Sequence, residues 1–88
     1  MMQQKYEFNL SIDGDTRLIE LLYNNLIIET EKSYASRCGI EIRREKGSFK
    51  LNIVSNDIVS LRANINTWLR FIKVVEDIYK IVKGGDLN

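Results

Sequence analysis

Arg62, Asn66, Arg70 and Lys73 recur at helical intervals along the last third of this 88-residue chain. Guanidinium and amide groups spaced in this way can hold carboxylates or phosphates, each arginine with a two-pronged grip. They can equally form a solvated helix face, and spacing alone does not separate the two. A second set of cations, Arg37, Arg43, Arg44, Lys46 and Lys50, lies in the middle of the chain. With Lys32 they make six cations in residues 32–50 against Glu41 and Glu45, while residues 1–31 carry six acids against Lys5 and Arg17. A basic segment of this kind can meet RNA phosphates, or can serve as a charged sheet edge that resists aggregation.

Catalysis finds little to work with. The chain has no histidine, so the commonest general base and metal ligand are both missing. Its single cysteine, Cys38, excludes an intramolecular disulfide and a cysteine-built zinc cage. Cys38 alternates with Gly39, Ile40, Glu41 and Ile42, which reads as a buried, inert thiol on a strand. There is no triad, no phosphate-binding glycine loop and no placed carboxylate pair. The expectation is a protein that is not an enzyme, with no catalytic residue, no metal and no cofactor. Nothing before Tyr6 reads as a signal peptide, and no apolar run approaches the roughly 20 residues that span a bilayer. A cytoplasmic location is expected.

The elements that carry these side chains follow from periodicity. Lys5 to Ile12 alternates, with Tyr6, Phe8, Leu10 and Ile12 on one side, and predicts a strand over 5–12. Asp13-Gly14-Asp15 makes a turn, and Asp15 or Thr16 can cap a helix over 16–31. In that helix Leu18, Ile19, Leu22 and Leu26 form one face, while Leu21 and Ile28 project away from it. Strands over 38–45 and 48–55 flank the turn Lys46-Gly47. Asn56 or Asp57 can cap a second helix over 57–83, stopped by Gly84-Gly85 with a frayed tail over 84–88. The whole, 1–88, reads as one domain.

The order β-α-β-β-α predicts an α+β fold. A right-handed crossover from the first strand to the second leaves room for the third between them, giving sheet order 1-3-2, antiparallel or mixed, with both helices on one face. Strands of about 7 residues span roughly 23 Å and a helix of about 26 residues roughly 39 Å, so the second helix should overhang by roughly 15 Å. One stripe of that helix, Ile58, Leu61, Ile65, Trp68, Ile72, Val75 and Tyr79, fits a core. A second, Phe71, Val74, Ile78 and Ile81, has no place in it, and the polar ridge of Arg62, Asn66, Arg70 and Lys73 is expected on the flank opposite this stripe. Surplus apolar surface on so small a fold points to an oligomer or a permanent partner.

The common RNA modules fit poorly. No pair of glycines has the Gly-x-x-Gly spacing of a KH loop, and Tyr6, Phe8 and Phe49 share the strand face that the helices should cover, which leaves no sheet aromatics for an RRM. Asp57-Ile58-Val59-Ser60-Leu61-Arg62-Ala63-Asn64-Ile65-Asn66-Thr67-Trp68-Leu69-Arg70 resembles the signature of the Pcc family, the small dimerising subunit of the KEOPS tRNA-modifying complex. That signature opens with Asp, continues Leu-Arg-Ala, then Leu-Asn-Ser, an aromatic, Leu and Arg. Ile65, Thr67 and Trp68 stand here for its Leu, Ser and Phe or Tyr, and the resemblance covers roughly residues 5–83.

The resemblance implies a non-catalytic scaffold. Members of the family form homodimers and dock a threonylcarbamoyltransferase subunit of actin-like ATPase fold beside other KEOPS subunits. The assembly makes threonylcarbamoyladenosine in tRNA, and the family assists tRNA binding. Carried onto this chain, Leu61 and Trp68 become structural, and Arg62, Asn66 and Arg70 become interface or tRNA-contacting residues. Periodicity adds Leu21, Ile28, Phe71, Val74, Ile78 and Ile81 as an apolar interface for the dimer or the catalytic subunit, and the basic middle segment adds Arg37, Arg43, Arg44, Lys46 and Lys50 as candidate tRNA contacts. No small-molecule substrate or membrane is expected. The alternatives are a paralogue that caps the dimerising subunit, a stand-alone RNA-binding domain, and, ranked last, a transcription-associated interaction module.

Overall fold

Strict alternation in the first strand carries through to three dimensions: β1 (Tyr6–Asp13) is partly buried at every second residue. A computed structural model describes residues 4–32 and 38–85 of the chain. After β1 come α1 (Thr16–Lys32), β2 (Cys38–Glu45), β3 (Ser48–Ser55) and α2 (Ile58–Gly85). The sheet order is β1-β3-β2 and both pairings are antiparallel, which settles the choice between antiparallel and mixed.

Local chemistry explains each boundary. The Arg17 N–H donates to Asp15 Oδ1 at 2.9 Å and the Ile19 N–H to the Asp15 carbonyl at 3.0 Å, so Asp15 caps α1. At α2 the Val59 N–H donates to Asp57 Oδ1 at 3.1 Å, and Ser60 Oγ donates to Asp57 Oδ2 at 2.8 Å. Gly47 supplies the positive φ (77°) of the β2–β3 turn, and the Gly14 N–H ties to its carbonyl at 3.0 Å. These two turns therefore lie together at one end of the sheet.

Three boundaries differ from expectation. β1 is shifted one residue, because Asp13 still pairs with Ser48 on β3. The first helix runs one residue further, to Lys32. The second starts after its cap at Ile58 and continues through Gly84 and Gly85 rather than stopping before them. Glycine weakens a helix by about 1 kcal/mol but keeps its N–H, so it lowers the cost of ending the helix without forcing an end. Residues 86–88 of the expected tail lie outside the described residues.

Both helices cover one sheet face. The core joins Ile19, Leu22 and Leu26 of α1, Ile42, Phe49, Leu51 and Ile53 of the sheet, and Leu61, Trp68, Ile72 and Val75 of α2. α1 packs chiefly on β2, and α2 on β3 and β1. Cys38 is buried as expected, with Asn64 Nδ2 donating to its Sγ at 3.2 Å. Ser55, the buried polar residue of the sheet, exchanges bonds with the Asp57 backbone at 3.0 and 3.1 Å.

Candidate interaction surfaces

The last core residue of α2 is Val75, yet the helix continues to Gly85, about 15 Å further at 1.5 Å per residue. At its root Tyr79 Oη donates to Asp15 Oδ2 at 2.6 Å, which fixes the overhanging part of α2 to the start of α1. The bond joins the start of α1 to the later part of α2, in keeping with the antiparallel course that the strand order gives the two helices. The hydrogen bond from Tyr79, and then the Arg17 N–H, lower the pKa of Asp15, while the same bond to Asp15 raises that of Tyr79.

Val74, Ile78 and Ile81 of the second stripe are 55%, 48% and 72% exposed. Phe71 departs from the expectation. It packs on the core, its ring edge-on to Trp68 at 5.5 Å and 76°, because that side of α2 turns toward α1. Leu21 also packs partly on the core and then lines a groove of about 200 Å³ with Ile78, Tyr79 and Val82, rimmed by Arg17 and Lys83. Ile28, further along α1, stays exposed. Five of the six apolar candidates thus sit on or beside the α1–α2 surface, while Phe71 is mainly a support beneath it.

A second apolar flank was not singled out by periodicity. Ile58 and Leu69 are 44% and 43% exposed, and Ile65 is partly buried beside them. At 100° per residue Leu69 lies roughly 180° round the helix from Ile78. Ile78 faces α1, so Leu69 faces the opposite way, over the β1 edge. Below it Tyr6, Phe8, Leu10 and Ile12 are only partly covered, and among the described residues the outer edge of β1 pairs with no other strand. Ile58 departs from its expected place in the core stripe, because it is the first residue of α2 and lies on the rim of the apolar arc; the width of that arc, with Leu69 just outside the stripe, was the available signal.

The polar residues separate. Arg62, Asn66, Arg70 and Lys73 are all exposed along α2. They do not lie opposite the second stripe: Asn66, Arg70 and Lys73 share a shallow depression with Leu69 and Val74, so the ridge runs between the two apolar flanks. Lys73 is paired with Asp77 at 3.3 Å. Arg44 turns to the helix face, with its guanidinium 5.1 Å from the centre of the Tyr23 ring and 4.0 Å from Glu20. Arg43 and Lys50 face the other side of the sheet, and Lys46 sits in the turn; Arg37 lies outside the described residues. Among the described residues no helix is long and apolar enough to cross a membrane, and no group of three or more His, Cys, Asp or Glu side chains could hold a metal ion.

The fold is thus a small α+β domain that leaves two apolar flanks uncovered on one long helix. The sequence model of the family described as "Transcription factor Pcc1" matches residues 7–80. The chain belongs to that family. It is similar to the KEOPS complex subunit Pcc1 of Pyrococcus abyssi, 31% identical over 64 residues, covering 73% of this chain and 78% of the relative.

Proposed function

We propose that this protein is the non-catalytic dimerisation and scaffold subunit of a cytoplasmic KEOPS complex, docking the threonylcarbamoyltransferase subunit and assisting tRNA binding. Family membership and the similarity to a named KEOPS subunit support the setting. The observation that carries the rest is the separation of two apolar flanks on α2.

Each flank suits a different occupant. An open strand edge below Ile58, Ile65 and Leu69 offers unpaired backbone groups together with apolar cover, which suits a second copy pairing β1 to β1. The β2 edge is a poorer candidate, since Arg43, Arg44, Glu41 and Glu45 charge it heavily. On the other flank Leu21, Ile28, Val74, Ile78, Ile81 and Val82 form a surface along two antiparallel helices. That shape accepts further helices in bundle fashion, and we assign it to the catalytic subunit. Arg62, Asn66 and Arg70, between the flanks, become the polar seam of the assembly. Co-purification with a threonylcarbamoyltransferase subunit tests the proposal: a stable complex containing two copies of this chain is expected, and a chain that neither dimerises nor retains that subunit would sink it.

A further inference from the structure

On the sheet face turned away from the helices, the β2–β3 register sets Arg43 directly opposite Lys50, and the β1–β3 register extends the row to Ser11. The Cα atoms of such a pair lie about 4.5–5.5 Å apart, and like charges so placed repel. Neither cation has an ion-pair partner among the described residues. Glu41 and Glu45 flank Arg43 on the same face without pairing with it, and Glu7 is occupied by Asn52, whose Nδ2 reaches it at 2.6 Å and Asn9 Oδ1 at 2.7 Å. The row borders a shallow depression of about 280 Å³ lined by Asn9, Ser11, Glu41, Arg43, Lys50 and Asn52.

Two adjacent cations with a hydroxyl beside them can close on one phosphate, which relieves their repulsion on binding. We infer that Arg43 and Lys50 form a grip for RNA backbone phosphate on the outer sheet face, while Arg44 and Lys46 take no part. The inference rests on the tRNA-assisting role proposed above and locates it. Tyr6, Phe8 and Phe49 all lie on the helix side, so among the described residues this face has no ring on which a base could stack. Contact is therefore with backbone and independent of sequence. Because the flanking acids keep the face from being broadly basic, the grip takes one or two phosphates rather than a long tract. RNA held here leaves both apolar flanks free, so RNA and protein partners can be bound together.

The test is fluorescence anisotropy of the full-length protein with labelled tRNA and with an oligouridine, from 50 to 200 mM salt. Arg43→Ala/Lys50→Ala should weaken both RNAs about tenfold at low salt and flatten the log–log salt slope by roughly 1.5, about 0.7–0.9 per lost cation. Lys50→Glu should weaken binding while raising the thermal midpoint, since it places opposite charges across the pair. Arg44→Ala should leave affinity within about twofold of wild type, given its place on the helix face. Wild-type affinity and slope in the double variant and in Lys50→Glu would overturn the site, as would a wild-type protein that binds neither RNA. Light scattering of the same variants with the catalytic subunit keeps the two ideas apart. Loss of RNA binding in variants that assemble supports the grip; an RNA-binding protein that never assembles contradicts the scaffold alone.

Discussion

Tyr79 Oη donates to Asp15 Oδ2 across 2.6 Å, joining residues 64 positions apart in the chain and closing the end where α2 leaves the core. The carboxylate has two tasks, since its other oxygen caps α1 through the Arg17 N–H. Asp15 and Tyr79 also line the groove shared by Leu21 and Ile78.

This bond gives a pH signature. The folded-state pKa of Asp15 is below its unfolded value, so its contribution is full above the unfolded carboxylate range and is lost as pH falls through the folded pKa. That of Tyr79 is raised, so its share is full below the unfolded phenol value and is lost as pH rises through the folded one. Tyr79→Phe should therefore be less stable than wild type near neutrality, with the difference closing in acid. Urea unfolding of both proteins across the acid range measures it.

Trp68 is 1% exposed and braces both the sheet and Phe71. Trp68→Ala should cost about 3–5 kcal/mol, a large part of the total for a domain of this size. The midpoint of denaturant unfolding gives the figure.

Asp57→Ala removes the side-chain acceptor for the Val59 N–H and for Ser60 Oγ at the start of α2. A loss of about 0.5–2 kcal/mol is expected, without change in oligomeric state. Thermal unfolding and gel filtration read the two quantities separately.

The two flanks of α2 should respond independently. Leu69→Asp should yield a folded monomer, because Leu69 is half-exposed above the β1 edge and contributes little to the core. Ile78→Asp should remain dimeric and lose the catalytic subunit. Size exclusion of each variant with that subunit distinguishes the outcomes; identical behaviour of the two would show a single surface.

Much of the fold is legible from side-chain alternation. The inward positions Ile42, Phe49, Leu51 and Ile53 imply both strand faces, and the order of elements implies β3 in the centre. Alternation also carries the orientation of Arg44: it follows Ile40 and Ile42 at two-residue steps and so must face the helices, away from Arg43. Grouping cations by composition hid that division. Phe71 could not be placed from the helix period alone, because its burial depends on where α1 lies. Leu69 was hidden for the converse reason: it borders the core stripe, and only the position of α2 above the β1 edge leaves it uncovered. Gly84 and Gly85 show that a weak helix former need not end a helix.

The central claim is that two distinct apolar surfaces serve two distinct partners. Light-scattering mass of the purified protein, alone and after addition of the threonylcarbamoyltransferase subunit, tests it most directly. A dimer that stays a dimer while taking up the enzyme is the predicted result. A monomer that ignores the enzyme, or a dimer that dissociates to bind it, would contradict the account.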